Sequence, residues 1–176
     1  MYMKKTIFTV FFSFIILSVQ AQQISVDMYT VTDKGIGNAI GKIIFKDTQF
    51  GLLIIPDMEG LTPGNHGIHI HQNPSCKPAE QNGKSVAALS AGGHLDPNNT
   101  HEHEGPYNSN GHLGDLPVLA VDSKGDATTP VLAPKLSVLD VVKHSVIIHM
   151  NGDNYSDNPE PLGGGGARIA CGVIAD

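Results

Sequence analysis

Apolar and polar residues alternate along much of this chain with a period of two, as a half-buried strand requires, because successive strand side chains face opposite ways. Ile24, Val26 and Met28 are interleaved with polar neighbours. Lys34-Gly35-Ile36-Gly37 punctuates the pattern as a turn, and Ile43, Ile44 and Phe45 follow it. Residues 50–55 form another apolar run, which ends at Pro56-Asp57. Residues 116–121 and 127–132 flank Asp122-Ser123-Lys124-Gly125-Asp126, a turn-rich stretch that predicts a hairpin. Residues 141–150 and 167–174 add two more apolar stretches. No long segment has the 3.6 period of a helix, and one short helical turn is predicted near residues 136–142. Short strands with Gly and Pro between them predict an all-β antiparallel sandwich or barrel.

Two stretches break the alternation. Residues 72–115 are rich in Gly, Pro, Asn and His, and residues 151–166 end in a four-glycine tract. A loop of about 40 residues is uncommon in a compact domain unless it is functional or tied down. The amino-terminal segment departs in another way. Lys4 and Lys5 precede an almost wholly apolar run over residues 6–18, and Val19-Gln20-Ala21 puts small residues where a signal peptidase reads. The run is shorter than the roughly 20 apolar residues of a membrane span. Residues 1–21 are therefore expected to be a cleaved signal peptide, with the mature domain over residues 22–176 and no membrane association after cleavage.

Charge narrows the partners. The formal net charge is −6, and the leader carries two Lys and no acid, so the mature chain stands at −8. That argues against nucleic-acid or anionic-membrane binding, which want a basic surface. The single arginine, Arg168, is a candidate for a specific anion contact. Two cysteines, Cys76 and Cys171, allow one intrachain pair. Export makes a disulfide the preferred reading over two unrelated buried thiols.

The nine histidines are unevenly spread. On a strand, His69 and His71 share a face and can share an ion, while Ile68 and Ile70 face the core. His94, His103, His112 and Asp115 lie in the irregular segment. Three imidazoles and a carboxylate make a closed tetrahedral set, the usual form of structural zinc, and ligand bonds can replace packing as the source of order in a coreless loop. His149 ends a strand-like run, and strand pairing can bring it beside His69 and His71. Imidazole-rich sets without thiolate suit copper(II) as well as zinc.

Four segments, Gly67-Ile68-His69-Ile70-His71, Gly92-Gly93-His94-Leu95-Asp96-Pro97, Gly111-His112-Leu113-Gly114-Asp115-Leu116-Pro117 and GGGGARIACGV over residues 163–173, resemble the signature segments of copper-zinc superoxide dismutases. Gly152-Asp153-Asn154 with Pro161-Leu162-Gly163 resembles the bacterial periplasmic branch. The resemblance implies a Greek-key antiparallel β-sandwich, a flattened eight-stranded barrel carrying long metal-binding and electrostatic loops. It implies copper on His69, His71, His94 and His149, and zinc on His94, His103, His112 and Asp115, with His94 bridging. It pairs Cys76 with Cys171, makes Asp153 the carboxylate that links a copper-side to a zinc-side imidazole, and sets Arg168 beside copper to guide the anion. The implied reaction is dismutation of superoxide to dioxygen and hydrogen peroxide by copper cycling between Cu(II) and Cu(I). The expected site of action is the periplasm, with protection against extracytoplasmic superoxide as the role and a homodimer among the oligomeric states that relatives adopt.

His101 offers a second imidazole beside His103, and the spacing to Gly105-Pro106 favours His103. His66 and His144 match no ligand position and read as surface or loop residues. Lactamase-type hydrolases continue a His-x-His pair as His-x-His-x-Asp-His, which Gln72-Asn73-Pro74 breaks here. A sandwich-type carbonic anhydrase adds one further ligand to an open zinc and has no second cluster. A metal carrier is the non-enzymatic alternative.

Overall fold

The computed structural model describes residues 21–175. Residues 1–20, most of the expected leader, lie outside the described residues. Along the chain run β1 (Gln23–Thr32), β2 (Gly35–Thr48), β3 (Gly51–Met58), β4 (Gly64–His66), β5 (Ile68–His71), β6 (Ala79–Gln81), β7 (Lys84–Val86), a 3-10 turn (Leu89–Ala91), β8 (Leu119–Val121), β9 (Val131–Ala133), α1 (Val138–Val141), β10 (His144–His149), a second 3-10 segment (Pro161–Gly164) and β11 (Arg168–Ile174). Among the described residues the one α-helix falls where a helical turn is predicted, and the Asp140 carboxylate accepts hydrogen bonds from the Ser137 N–H and hydroxyl at its start.

Seven strands form one antiparallel sheet in the order β5-β10-β11-β1-β2-β3-β9. β4 pairs with β8 separately, in a register that sets His66 opposite Leu119. Only Gly67 separates β4 from β5, and the chain after β8 bridges the end of β3 at Met58–Ala127. The β4-β8 pair thus links the two flanks of the sheet and closes it into a flattened barrel. Alternation decides the filling. Val26 and Met28 of β1, Ile43 and Phe45 of β2, Leu52 and Ile54 of β3, Ile68 and Ile70 of β5, and Val146 and Ile148 of β10 form one buried cluster. Each such side chain contributes about 1.5–3 kcal/mol on burial.

Two expectations need correction. Pro56 does not end the third strand: β3 continues to Met58, with Pro56 opposite Ile43. The Met58 N–H points away from β2, to Ala127 O, and a residue two positions earlier points the same way. The missing N–H of Pro56 therefore faces the gap between β9 and the Ala127 bridge, where no ladder bond is lost. The predicted hairpin is also absent. Asp122 and Asp126 close the turn with an N–H···O bond of 2.9 Å, but β8 joins β4 while β9 joins β3. The arms part because each finds a better edge elsewhere.

The outer faces of β10 and β11 are buried as well. Ile147 and Cys171 pack there with Cys76, Ala88 and Ala91 of the long loop. A Cys76–Cys171 disulfide, with Cα atoms 5.7 Å apart, fixes that loop to β11. The loop is also less irregular than its composition suggests, because β6 and β7 pair within it.

Candidate metal centre

The free edge of β5 builds the site. Leu95 N–H donates to Ile70 O at 2.8 Å, and Ile70 N–H donates to Gly114 O at 2.9 Å. Gly114 N–H in turn reaches Leu95 O at 2.9 Å. These bonds bring the loop segments carrying His94 and Asp115 against the strand carrying His69 and His71, as the bridges His71–His94 and His69–Asp115 record. On its other side β5 pairs with β10, and His149 N–H donates to Gly67 O at 2.8 Å. The His149 ring centroid then lies 4.9 Å from that of His69 and 5.7 Å from that of His71. His94 stacks on His69 at 3.9 Å.

The cluster is dry: His69, His71, His94, His103, His112, Asp115 and His149 are each no more than 7% exposed. One ring nitrogen of most of these histidines is fixed by a hydrogen bond. His71 Nδ1 lies 2.9 Å from Gly92 O, and His149 Nδ1 lies 3.2 Å from Gly166 O. His69 Nε2 and His103 Nε2 reach the two oxygens of Asp153 at 2.7 and 2.8 Å. An acceptor on one side makes that nitrogen the N–H and leaves the other with its lone pair. Among the described residues, the buried side-chain polar atoms without a hydrogen-bond partner are His69 Nδ1, His71 Nε2, His103 Nδ1, His112 Nδ1 and His149 Nε2. An orphaned buried polar atom costs about 1–3 kcal/mol. Five unpartnered ring nitrogens gathered in one buried cluster have the chemistry of a cation site, and in His69, His71 and His149 the acceptor on the other nitrogen leaves the free one its lone pair.

Two groups of side chains have donor atoms mutually within 4.8 Å: His69, His71, His94 and His149, and His69, His94, His103 and Asp115. The second differs from the expected zinc set in containing His69 instead of His112. His112 Nδ1 is 3.4 Å and His103 Nδ1 3.0 Å from Asp115 oxygens. Neither approach has hydrogen-bond geometry.

Burial pulls the pKa of His69, His71 and His94 down, and that of His149 to about 4, with neighbouring imidazoles adding to the effect. All four are neutral donors at neutral pH. Burial acts on His103 too, but Asp115 and Asp153 outweigh it and raise its pKa to about 9. Asp115 and Asp153 lie well below the usual carboxylate range, because their imidazole partners overcome burial. A cation binding the second group must therefore displace a proton from His103.

Arg168 sits opposite His149 in the β10-β11 register. Its guanidinium donates to Ala88 O at 2.6 Å and Gly92 O at 2.7 Å, so the disulfide-tied loop holds it half-buried. Gly92 O thus serves both Arg168 and His71. His101 is exposed and joins neither group. His144 is half-exposed on β10. His66 contradicts its expected surface place. It is buried, with its ring nitrogens 2.7 Å from His149 O and 2.8 Å from Thr62 O, and it holds the end of β10.

Sequence reasoning missed three residues. Asp157 accepts the His103 backbone N–H at 2.8 Å, and the Tyr155 hydroxyl accepts the Val118 N–H at 2.9 Å. With Asp153 these form an every-second-residue series that stitches the 151–166 loop to the histidine loop, a spacing visible in the chain. Gly163 has φ +71°, and an added Cβ would collide with Asp153 Oδ1 and come within 2.8 Å of His103 Nε2. Only glycine leaves room for the Asp153 bridge.

The family model for copper/zinc superoxide dismutase matches residues 39–174. The chain belongs to the copper/zinc superoxide dismutase family. Among curated members, copper-zinc superoxide dismutase 2 of Salmonella typhimurium is 55% identical over 156 residues, 88% of this chain and 90% of that one. The Escherichia coli copper-zinc superoxide dismutase is 53% identical over the same length, with the same shares covered. The solved dismutase from Brucella abortus superimposes with a TM-score of 0.85 at 49% identity, covering 87% of this chain and 99% of that chain. The monomeric copper, zinc enzyme from Salmonella enterica gives 0.78 at 54% identity, with the same shares covered. The antiparallel barrel and the Cys76–Cys171 disulfide are as the family resemblance implies. Among the described residues no helix is long and apolar enough to cross a membrane.

Proposed function

We propose that His69, His71, His94 and His149 hold copper and that His94, His103, His112 and Asp115 hold zinc in a superoxide dismutase. The enzyme converts superoxide to dioxygen and hydrogen peroxide with copper and zinc as cofactors. The observation that supports the ligand assignment best is the set of five orphaned ring nitrogens, all in this cluster. His69 and His94 fall in both groups. His94 is assigned the bridge because its Nδ1 lies 3.0 Å from Asp115 Oδ1, a member of the proposed zinc set whose ion would take that proton's place, whereas His69 Nε2 is held by Asp153, which belongs to neither set. His112, with a buried lone Nδ1 beside Asp115, then completes the zinc set in place of His69.

When bound, copper supplies a one-electron couple and zinc a redox-silent positive charge. The chain's residues do the rest. Asp153 holds the His69 and His103 rings in one tautomer and one orientation. Arg168, fixed by two carbonyls, presents a charge that a small anion can meet without reorganisation. A local charge dominates over about 8 Å at physiological salt, so it can act against a net charge of −8.

The proposal includes cleavage of residues 1–21, export to the periplasm, and protection there against external superoxide. The leader pattern and the persistence of a disulfide support it. A homodimer is one state open to the mature chain, beside the monomer of the Salmonella enterica enzyme, and sedimentation distinguishes the two. Metal-stripped protein should be inactive, regain dismutation with copper, and gain none from zinc alone. Recovery with zinc alone would refute the copper assignment. A deletion strain should lose survival when superoxide is generated outside the cell, and unchanged survival would contradict the protective role.

A further inference from the structure

We infer that Lys135 is a positioning residue for the zinc site, a half-buried ammonium that fastens the ligand-bearing loop to the barrel. The inference rests on the zinc assignment above. Lys135 follows β9 and Pro134 and precedes α1, so its backbone sits in the turn that leaves an edge strand of the sheet. Its Nζ lies 2.7 Å from Asn108 O, 3.0 Å from His112 O and 3.2 Å from Gly105 O. An ammonium has three N–H donors and no lone pair. Three carbonyls therefore satisfy it completely, whereas an ordinary surface lysine leaves these donors to water.

All three acceptors come from residues 105–112, a stretch with no helix or strand and with Tyr107 turned to solvent. Its buried residues are Gly105, Pro106, Gly111 and His112, with no large apolar side chain among them. Two of the three residues gripped by Lys135 also meet the site. Gly105 donates its N–H to Asp115 Oδ2 at 3.3 Å while its carbonyl takes Lys135. His112 turns Nδ1 toward Asp115 while its carbonyl takes Lys135. Lys135 thus pre-orders the segment between two zinc ligands before the ion arrives, and lowers the entropy lost on binding. The barrel core does not depend on this grip, so the effect belongs to zinc retention and not to the stability of the metal-free fold.

The test uses holoprotein of the wild type, Lys135→Met and Lys135→Arg. It reads zinc transfer to a chelator, the visible spectrum of cobalt placed in the zinc site, copper content, and the Tm of the metal-free forms. Lys135→Met should bind zinc about 10–100-fold more weakly, the range for partners behind metal ligands. Its cobalt bands should change, with copper content and metal-free Tm as in wild type. Lys135→Arg, which keeps a charged multiple donor, should restore most of the retention. Unchanged zinc transfer in Lys135→Met overturns the inference. So does a fall in metal-free Tm as large as that of the holoprotein, which would make Lys135 a prop of the barrel. Wild-type protein that takes copper but no zinc would overturn the zinc assignment and this inference with it.

Discussion

Replacing Asp153 by asparagine separates the two metal sites. Asp153 Oδ2 accepts the His69 Nε2–H at 2.7 Å, while Oδ1 accepts the His103 Nε2–H at 2.8 Å and the Tyr155 backbone N–H at 2.7 Å. Asparagine has the same shape but exchanges one oxygen for an NH2, which donates. Turned toward His103, that NH2 would oppose two N–H groups; turned toward His69 it opposes one. The amide should therefore keep its oxygen on His103 and Tyr155 and set its NH2 against His69. His69 must then leave a buried N–H unpaired, or move the proton to Nδ1, where copper needs the lone pair. The cost is about 1–3 kcal/mol, or about 5–150-fold in copper affinity at 1.4 kcal/mol per tenfold. Zinc affinity should fall far less. Chelator competition for each metal, on Asp153→Asn and wild type, measures this. Zinc weakened as much as copper, or copper affinity unchanged, would refute the reasoning.

Other consequences follow from the same geometry. In the metal-free protein, His149 with a pKa of about 4 loses folded-state stability as pH falls from about 6.5 to 4, by about 3 kcal/mol. His103, raised to about 9, contributes stability below about 6.5 that is lost as pH rises through 9. Thermal unfolding of the metal-free form should thus be most resistant near pH 6–7, and a Tm that climbs steadily to pH 9 would contradict it. Cys76→Ser with Cys171→Ser opens a loop with a sequence separation of 95 and should lower stability by up to about 4–5 kcal/mol in denaturant titrations; a loss below about 1 kcal/mol would count against this. His101→Ala should keep wild-type zinc content, while His103→Ala should lose zinc; the reverse would reassign the ligand.

The positions of His69, His71 and His149 were legible because strand alternation is a local rule and their strands are regular. The core residues Val26, Met28, Ile43 and Phe45 follow from the same rule. His66 was not legible: one of the two carbonyls that hold it, Thr62 O, is close in sequence, but the other, His149 O, is reached only through the pairing of distant strands. Pro56 and the parted arms at 122–126 were misread because the choice of neighbouring strand is a long-range matter that local punctuation does not encode. Lys135 left no signal at all, since its partners are backbone carbonyls and any residue type supplies those. The convergence of His94, His103, His112 and Asp115 was suggested by residue type, but the edge of β5 that gathers His94 and Asp115 appears only in the fold.

Metal content together with dismutation rate, for the wild-type mature chain and His149→Ala, tests the central assignment most directly. The expected result is about one copper and one zinc per chain, the stoichiometry of the two proposed sites, with copper and activity lost together in the variant and zinc retained. Wild-type protein that binds both metals without dismutating superoxide, or a His149→Ala variant that keeps full copper and full rate, would contradict it.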